Sequence, residues 1–233
     1  MKSRTTWLHS AIISAVAAGK AILEVYRSPD MGVEKKADDS PLTRADRQSH
    51  EIILAAINGF GIPILSEEGR DIPYAERRRW NRMWIVDPLD GTKEFIKKNG
   101  EFGTDASDNP QALDKLLGQA TRLPLGKDKD RPFTVMGSRS HATPELEAYV
   151  ETMRHKYGNV DFISAGSSLK ICRVAEGRAD VYPRLGPTME WDTAAGQAIA
   201  VASGARVVRH DDGNALAYNK ENLLNPWFVV ERQ

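Results

Sequence analysis

The stretch Trp84-Ile-Val-Asp-Pro-Leu-Asp-Gly-Thr-Lys-Glu-Phe95 joins an apolar run to an acidic turn. The apolar residues predict a buried strand from Met83 to Asp87. A tight turn after a rigid strand brings Asp87 and Asp90 toward one point, and the Leu89 carbonyl offers a further oxygen. Because such oxygens are the ligands that Mg²⁺ prefers, the stretch is a candidate metal site. An Asp-Pro turn whose second aspartate caps a helix would explain the same residues without a metal.

Two further acidic segments extend this pattern. Leu65-Ser-Glu-Glu-Gly69 follows an apolar stretch, and Trp191-Asp-Thr-Ala-Ala-Gly196 places Asp192 at a predicted helix start. Glu67, Glu68 and Asp192 therefore extend the candidate metal site. The alternatives are that Asp192 only stabilises the helix N-terminus and that Glu67 or Glu68 is an exposed loop residue.

The overall charge excludes some classes of partner. The 233 residues contain 32 Lys and Arg and 32 Asp and Glu, so no excess positive charge is available for a nucleic acid polymer or an anionic membrane. A cluster of carboxylates would repel a phosphate ligand unless a bound cation reversed the local charge. The composition therefore favours a small ligand and a metal ion.

The single cysteine and the N-terminal segment bear on location. With Cys172 alone, no intrachain disulfide can form, so a reducing compartment, the cytoplasm, is the simpler expectation. The apolar residues Ala11–Ala18 resemble a secretion signal, but polar residues interrupt them and favour an amphipathic helix. We therefore expect no membrane span.

Hydrophobic periodicity predicts helices and strands in mixed order, which indicates layered α/β structure. The predicted helices are Thr6–Tyr26, Thr43–Asn58, Pro144–Tyr157, Ser167–Glu176 and Asp192–Ser203. The predicted strands are Ile62–Leu65, Met83–Asp87, Phe133–Gly137, Val160–Ser164, Ala179–Tyr182, Arg206–Arg209 and Trp227–Val230.

Taken together, the three acidic motifs resemble those of the inositol monophosphatase superfamily, which contains lithium-sensitive, magnesium-dependent phosphatases. Their order and spacing match its signature closely. Other segments resemble the 3'(2'),5'-bisphosphate nucleotidase branch, and the resemblance spans nearly the whole chain. These segments are Pro41-Leu-Thr-Arg-Ala-Asp46, Lys93-Glu-Phe-Ile-Lys97, Ser138-Arg-Ser-His141 and Gly166-Ser-Ser-Leu-Lys170.

The resemblance implies a role for each matching residue. Up to three Mg²⁺ ions would be held by Glu67, Asp87, Asp90, Asp192 and the Leu89 carbonyl. Asp46 and Thr92 would form the pair that activates water. The residues implied in substrate binding are the backbone N–H groups of Gly91 and Thr92 together with Ser138, His141, Gly166, Ser167, Lys170 and, less specifically, Arg184. For several of these a structural role is the alternative, since Gly166 and Ser167 also suit a helix start.

The implied reaction converts 3'-phosphoadenosine 5'-phosphate to AMP and phosphate, a step associated with sulfate assimilation. An inositol mono- or bisphosphate is the second candidate substrate, and the metal motif alone does not exclude fructose bisphosphate. A different class of function is a sensor that binds the phosphonucleotide without hydrolysing it. Retention of the metal carboxylates together with Asp46 and Thr92 favours hydrolysis.

The implied fold is a layered α/β sandwich of the inositol monophosphatase and fructose-1,6-bisphosphatase type. Residues 1–110 would form an N-terminal metal-binding subdomain and residues 111–233 a C-terminal substrate-binding subdomain. The boundary would fall between Gly103 and Arg131, with the metal ions between the two subdomains. The superfamily includes homodimers, so a homodimer is possible.

The chain departs from the family pattern after Phe102. The family continues there into a β-hairpin, whereas this chain continues into the polar segment Gly103–Pro110. A deletion, a sequence that lacks some of the protein's residues, or a partner chain that compensates would each explain the difference. Loss of the hairpin would expose apolar residues and strand edges, so we expect it to lower stability.

Overall fold

The structure is a computed structural model, and it describes residues 4–37, 39–98, 118–126, 131–138 and 143–232. The chain divides into two compact units, Met1–Ala120 and Thr121–Gln233. This division lies ten residues beyond the expected end of the N-terminal subdomain and within the expected boundary region. Gly103–Pro110, the polar segment that follows Phe102, lies outside the described residues.

In the first unit, two long helices flank a short antiparallel ladder. The elements in chain order are α1 (Arg4–Arg27), β1 (Glu34–Lys35), β2 (Pro41–Leu42) and α2 (Arg44–Ile57). Thr43 caps α2, because its side-chain oxygen accepts the N–H groups of Ala45 and Asp46. The Asp46 carboxylate in turn accepts the Thr43 N–H at 2.6 Å, which completes a capping box.

The remaining elements of the first unit support the acidic turn. A 3₁₀ turn (Asn58–Phe60) precedes β3 (Ile64–Ser66), α3 (Tyr74–Arg77), β4 (Trp84–Val86) and α4 (Thr92–Ile96). Strands β3 and β4 are parallel, with Ser66 opposite Val86. Carboxyl ends of parallel strands meet at one edge, so the residues that follow Ser66 and Val86 emerge side by side.

A core cluster anchors α4 beneath this turn. Phe95 is fully buried and packs with Ile22 and Val25 of α1 and with Leu89 of the turn. The Tyr26 ring lies 5.3 Å from the Phe95 ring, measured between centroids. Burial of an aromatic ring contributes about 1.5–3 kcal/mol. This packing therefore fixes the start of α4.

Helix α1 is long and apolar in composition. Among the described residues it is the one helix, from Thr5 to Arg27, that is long and apolar enough to cross a membrane by length and composition. Ala18, Ile22 and Val25 are nevertheless buried, and α1 packs along α2. The helix gives no evidence of a membrane span.

The second unit is built on a five-stranded mixed sheet. Its elements are β5 (Phe133–Gly137), α5 (Pro144–Tyr157), β6 (Val160–Ser164), α6 (Leu169–Glu176), β7 (Val181–Arg184), α7 (Glu190–Ala202), β8 (Arg206–Arg209) and β9 (Phe228–Glu231). The strand order is β6-β5-β7-β9-β8. Strands β6, β5 and β7 are parallel, and β9 is antiparallel to both β7 and β8.

Helices α6 and α7 approach each other closely at Gly196. A Cβ atom added at Gly196 would lie 2.9 Å from Cδ1 of Ile171, which is too close for a normal contact. Glycine at this position therefore has a packing reason within the Trp-Asp-Thr-Ala-Ala-Gly motif. The mixture of helices and sheets agrees with the predicted α/β class.

Candidate functional site

The acidic turn after β4 is shaped by its own side chains and backbone. Oδ1 of Asp87 accepts the Leu89 N–H at 3.0 Å, which folds the chain back after the strand. Leu89 is buried in the core cluster. Gly91 has a φ of 88°, a left-handed conformation that favours glycine. The turn thereby delivers Thr92 as the first residue of α4.

Thr92 and Asp46, predicted as a pair, are in direct contact. Oγ1 of Thr92 lies 2.9 Å from Oδ1 of Asp46 and 3.2 Å from the Leu89 carbonyl oxygen. The other carboxylate oxygen of Asp46, Oδ2, accepts both the N–H and the hydroxyl of Thr43, each at 2.6 Å. Asp46 is only 2% exposed. Its carboxylate is therefore fixed on both sides and aimed at Thr92.

Two of the predicted metal ligands also lie together in this unit. A carboxylate oxygen of Glu67 and one of Asp87 lie within 4.8 Å of each other. The Glu67 N–H donates to the Val86 carbonyl at 3.1 Å, which continues the β3–β4 pairing into the site. Two carboxylates this close repel each other unless a cation lies near them. Their hard oxygens fit a divalent cation such as Mg²⁺.

A lysine supplies positive charge beside these carboxylates. The Lys36 ammonium donates to Glu67 at 2.8 Å and to Glu68 at 2.5 Å. Burial alone lowers the pKa of Lys36, but the hydrogen bonds to the two glutamates outweigh it and raise the pKa above its usual value. Burial raises the pKa of Glu68, against the opposing effect of Lys36. The site is thus one in which a cation stabilises clustered carboxylates.

In the second unit, Asp192 is the third residue of α7. Its Oδ2 accepts the Met189 N–H at 2.8 Å, so the side chain folds back over the start of the helix. The alternative hypothesis, in which the Asp192 charge only stabilises the helix N-terminus, is therefore consistent with the geometry. A side chain fixed in this way can also present its carboxylate in one orientation to a ligand.

The predicted substrate residues of this unit gather at one edge of its sheet. Ser138 directly follows β5, Gly166 and Ser167 follow β6, and Arg184 ends β7. These three neighbouring strands are parallel, so their carboxyl ends share an edge. Ligands of α/β proteins commonly bind outside such an edge. His141 lies outside the described residues.

Lys170 and Arg184 have contrasting surroundings. Lys170 is 3% exposed, and its ammonium donates to the Ala165 carbonyl at 3.0 Å and lies 5.4 Å from the Tyr182 ring centroid. One terminal nitrogen of Arg184 donates to the Pro187 carbonyl at 2.8 Å, while its buried Nε has no partner among the described residues. Both side chains offer donors suited to an anionic group.

Four residues with contacts at the candidate site were missed by the sequence analysis. Lys36 lies 31 residues before Glu67, its hydrogen-bond partner, so no local pattern could connect them. Glu190, Lys220 and Asn225 form a network at the start of α7, in which Lys220 and Asn225 contact residues 30 and 36 positions away. A charged residue directly before the Trp-Asp motif was the one signal that could have drawn attention to Glu190.

Comparison with known proteins gives consistent results. The sequence matches the inositol monophosphatase family over residues 4–105 and 119–230. It is 45% identical over 240 residues to the 3'(2'),5'-bisphosphate nucleotidase CysQ of Salmonella typhimurium, covering 91% of this chain and 94% of that protein. The CysQ protein of Escherichia coli strain K12 is 43% identical, with the same coverage.

Solved structures agree. CysQ from Bacteroides thetaiotaomicron, described as a bacterial member of the inositol monophosphatase family, matches with a TM-score of 0.83 and 45% identity over 96% of both chains. An inositol monophosphatase from Thermotoga maritima is 22% identical, with a TM-score of 0.62 over 94% of this chain and 89% of that one, and shows the shared fold. The predicted family and its layered α/β fold are therefore confirmed.

The comparisons also bear on the departure after Phe102. The family match is interrupted between residues 105 and 119. The alignment with the Salmonella protein spans 240 positions but only 91% of the 233 residues of this chain. The relative therefore has residues without a counterpart here.

Proposed function

The chain belongs to the inositol monophosphatase family, and we propose from this premise that it is a magnesium-dependent phosphatase that converts 3'-phosphoadenosine 5'-phosphate to AMP and phosphate. The relatives named as bisphosphate nucleotidases support the substrate. The observation that carries the reaction is the 2.9 Å hydrogen bond between Thr92 and Asp46 beside the clustered carboxylates.

This hydrogen bond assigns a direction to the Thr92 proton. A carboxylate only accepts hydrogen bonds, so the Thr92 hydroxyl donates to Oδ1 of Asp46. Lone pairs on Thr92 Oγ1 are then available to accept a proton from a water molecule. As that water attacks phosphorus, its proton passes to Thr92 Oγ1, and the Thr92 proton passes to Asp46. The ester bond between phosphorus and the ribose oxygen breaks as the new bond forms, and the leaving ribose oxygen takes a proton from solvent water. General base catalysis of this kind contributes about 10²–10⁴-fold in rate.

In this proposal up to three Mg²⁺ ions would be held by Glu67, Asp87, Asp90, Asp192 and the Leu89 carbonyl. When bound, the ions neutralise charge on the phosphate oxygens and make water a better nucleophile at neutral pH. The Lys36 ammonium competes for Glu67, because one carboxylate oxygen serves the lysine at 2.8 Å. The free energy of metal binding therefore includes the cost of breaking the bond between Lys36 and Glu67, or of sharing Glu67 with the lysine.

The remaining residues would bind the two ends of the substrate. The backbone N–H groups of Gly91 and Thr92 would contact the phosphate that is cleaved. Helix α4 has only five residues, so we assign this binding to the amides themselves rather than to a helix dipole. The phosphate that is not cleaved and the nucleoside would be bound by Ser138, His141, Gly166, Ser167, Lys170 and Arg184.

Two other functions compete with this proposal. An inositol phosphatase would use the same metal ligands and the same Thr92–Asp46 pair, and would differ only at the non-reacting end of the substrate. A sensor would bind the phosphonucleotide without turnover. We place the enzyme in the cytoplasm, in line with its single cysteine, and a homodimer stays possible.

A phosphate-release panel tests the proposal. The substrates are 3'-phosphoadenosine 5'-phosphate, inositol 1-phosphate, inositol 1,4-bisphosphate and fructose 1,6-bisphosphate, each with Mg²⁺ and with a chelator. We expect Mg²⁺-dependent release that is fastest from the nucleotide. Faster release from an inositol phosphate would support the second candidate, and tight nucleotide binding without release would support a sensor.

A further inference from the structure

Glu190, the first residue of α7, is a fully buried carboxylate that lies two residues before Asp192. Its Oε2 accepts the Asn219 N–H at 2.6 Å. Its Oε1 accepts both the N–H and the ammonium of Lys220, at 3.0 and 2.6 Å. A buried charge is costly unless it is paired and hydrogen-bonded, and here both oxygens are satisfied.

Lys220 connects this carboxylate to a buried amide. Its ammonium also donates to the Ala217 carbonyl at 3.0 Å and lies 3.4 Å from Oδ1 of Asn225. Asn225 is 4% exposed, and its Nδ2 donates to the Met189 carbonyl at 2.7 Å. The Asn225 amide thereby reaches the residue immediately before α7.

Backbone pairing reinforces the same junction. The Glu190 N–H donates to the Leu223 carbonyl at 3.0 Å, and the Asn225 N–H donates to the Thr188 carbonyl at 2.8 Å. Met189 and Leu224 form an antiparallel bridge between these two bonds. Hydrogen bonds at residues 219, 220, 223 and 225 thus connect this segment to Glu190 and to the two residues before α7.

Met189 links this network to Asp192. Its carbonyl accepts from Asn225, and its N–H donates to Oδ2 of Asp192 at 2.8 Å. Any shift of the Met189 backbone would therefore move or release the Asp192 carboxylate. A fully satisfied buried network favours one geometry over its alternatives. The network fixes the point to which the Asp192 side chain is hydrogen-bonded.

We propose that Glu190, Lys220 and Asn225 are positioning residues that hold the Asp192 carboxylate in its metal-binding orientation. This inference rests on the proposed function, in which Asp192 is a metal ligand. Partners that orient a metal ligand typically matter 10–100-fold for metal affinity. None of the three residues is proposed to touch metal or substrate.

The test is Mn²⁺ binding to the full chain without substrate, measured by calorimetry and by electron paramagnetic resonance. We expect Asn225→Ala and Glu190→Gln each to weaken Mn²⁺ binding by about 10-fold. Asp192→Asn serves as the reference for loss of the ligand itself. All variants are compared below their unfolding temperatures.

A matched control separates positioning from stability. Asp180 is also a buried carboxylate of this unit, paired with Arg131 at 2.5 Å and accepting the Thr134 N–H at 2.8 Å. Asp180→Asn should lower the unfolding temperature without changing Mn²⁺ affinity. Equal losses of affinity in Asp180→Asn and Asn225→Ala would overturn the proposal.

A double variant provides a second check. Glu190→Gln with Lys220→Met removes both buried charges, so it should recover stability relative to Glu190→Gln alone. Its Mn²⁺ affinity should stay low, because Lys220→Met removes the ammonium that contacts Oδ1 of Asn225. Wild-type affinity in the double variant would overturn the proposal.

The outcomes also distinguish this inference from the proposed function. If the wild type binds Mn²⁺ through Asp192 and the variants bind it weakly, the inference stands even when no substrate of the panel releases phosphate. If Asp192→Asn binds Mn²⁺ like the wild type, the inference fails whatever the enzyme hydrolyses.

Discussion

Replacement of Thr92 by valine tests the proton relay with a nearly isosteric side chain. The substitution removes the hydroxyl that donates to Oδ1 of Asp46 at 2.9 Å. General base catalysis contributes about 10²–10⁴-fold in rate. Its loss should therefore raise the activation free energy by about 2.7–5.5 kcal/mol. The buried carboxylate oxygen loses one partner, which costs about 1–3 kcal/mol of folding stability. We therefore expect a folded protein with a much lower kcat.

Thr43 provides the matched control, because its hydroxyl donates to the other oxygen of the same carboxylate. Thr43→Val also removes the N-cap of α2, which lowers the folding stability by a further amount of about 0.5–2 kcal/mol. It should therefore be less stable than Thr92→Val but more active. Thr92→Ser keeps the hydroxyl and should retain most activity.

The assays are phosphate release from 3'-phosphoadenosine 5'-phosphate at saturating Mg²⁺ and thermal unfolding of each variant. Two results would refute the relay. One is activity of Thr92→Val within 10-fold or so of the wild type. The other is an equal loss of activity in Thr43→Val, which would mean that activity follows stability rather than the Thr92 proton.

Four further predictions follow from the site and the chain. Asp90→Asn should nearly abolish phosphate release with an unchanged circular dichroism spectrum, since it removes an anionic metal ligand; wild-type activity at moderate Mg²⁺ would contradict this. LiCl should inhibit more than equal NaCl, and identical responses would exclude a Li⁺-accessible metal position. Lys170→Ala should weaken the binding of the nucleotide bisphosphate much more than the binding of a monophosphate substrate. Equal losses of affinity for both would indicate that the lysine is structural. If intact mass confirms 25.8 kDa, inserting a family-type hairpin after Phe102 should raise the unfolding temperature; a fully active, monomeric chain that gains nothing would contradict the role assigned to the hairpin.

Much of the fold could be predicted from local patterns. Strands β5, β6 and β8 and helix α5 have the predicted bounds. For α5, the Thr143 cap, Pro144 at the first position and Gly158 at the end are all local signals. In contrast, α3 has only four residues and β1 and β2 only two each. Elements this short carry no periodicity.

Strand β7 shows why bounds shift. The prediction was Ala179–Tyr182, but the strand is Val181–Arg184. Pro183 argues against a strand because it lacks an N–H, yet it pairs with Val229 of β9 in the sheet. Ala179 and Asp180 are buried before the strand begins, with Asp180 held by Arg131. Tertiary contacts therefore determine where β7 begins and ends.

The sequence indicates which residue types belong to the candidate site, but not the contacts that support them. The acidic turn, Asp46 and Thr92 stand out as motifs, yet the bond between Thr92 and Asp46 joins residues 46 positions apart. The contacts of Lys36 and Asn225 are equally non-local. No short window of sequence can show such pairs, because only the folded chain brings them together.

The most direct test of the central claim compares kcat/KM for 3'-phosphoadenosine 5'-phosphate with that for inositol 1-phosphate, with Mg²⁺ and after chelation, and identifies the nucleotide product. We predict Mg²⁺-dependent formation of 5'-AMP and a preference for the nucleotide on the order of 10²-fold or more, because a monophosphate lacks the second phosphate that the residues at the non-reacting end would bind. A preference for inositol 1-phosphate, or nucleotide hydrolysis that persists without metal, would contradict the account.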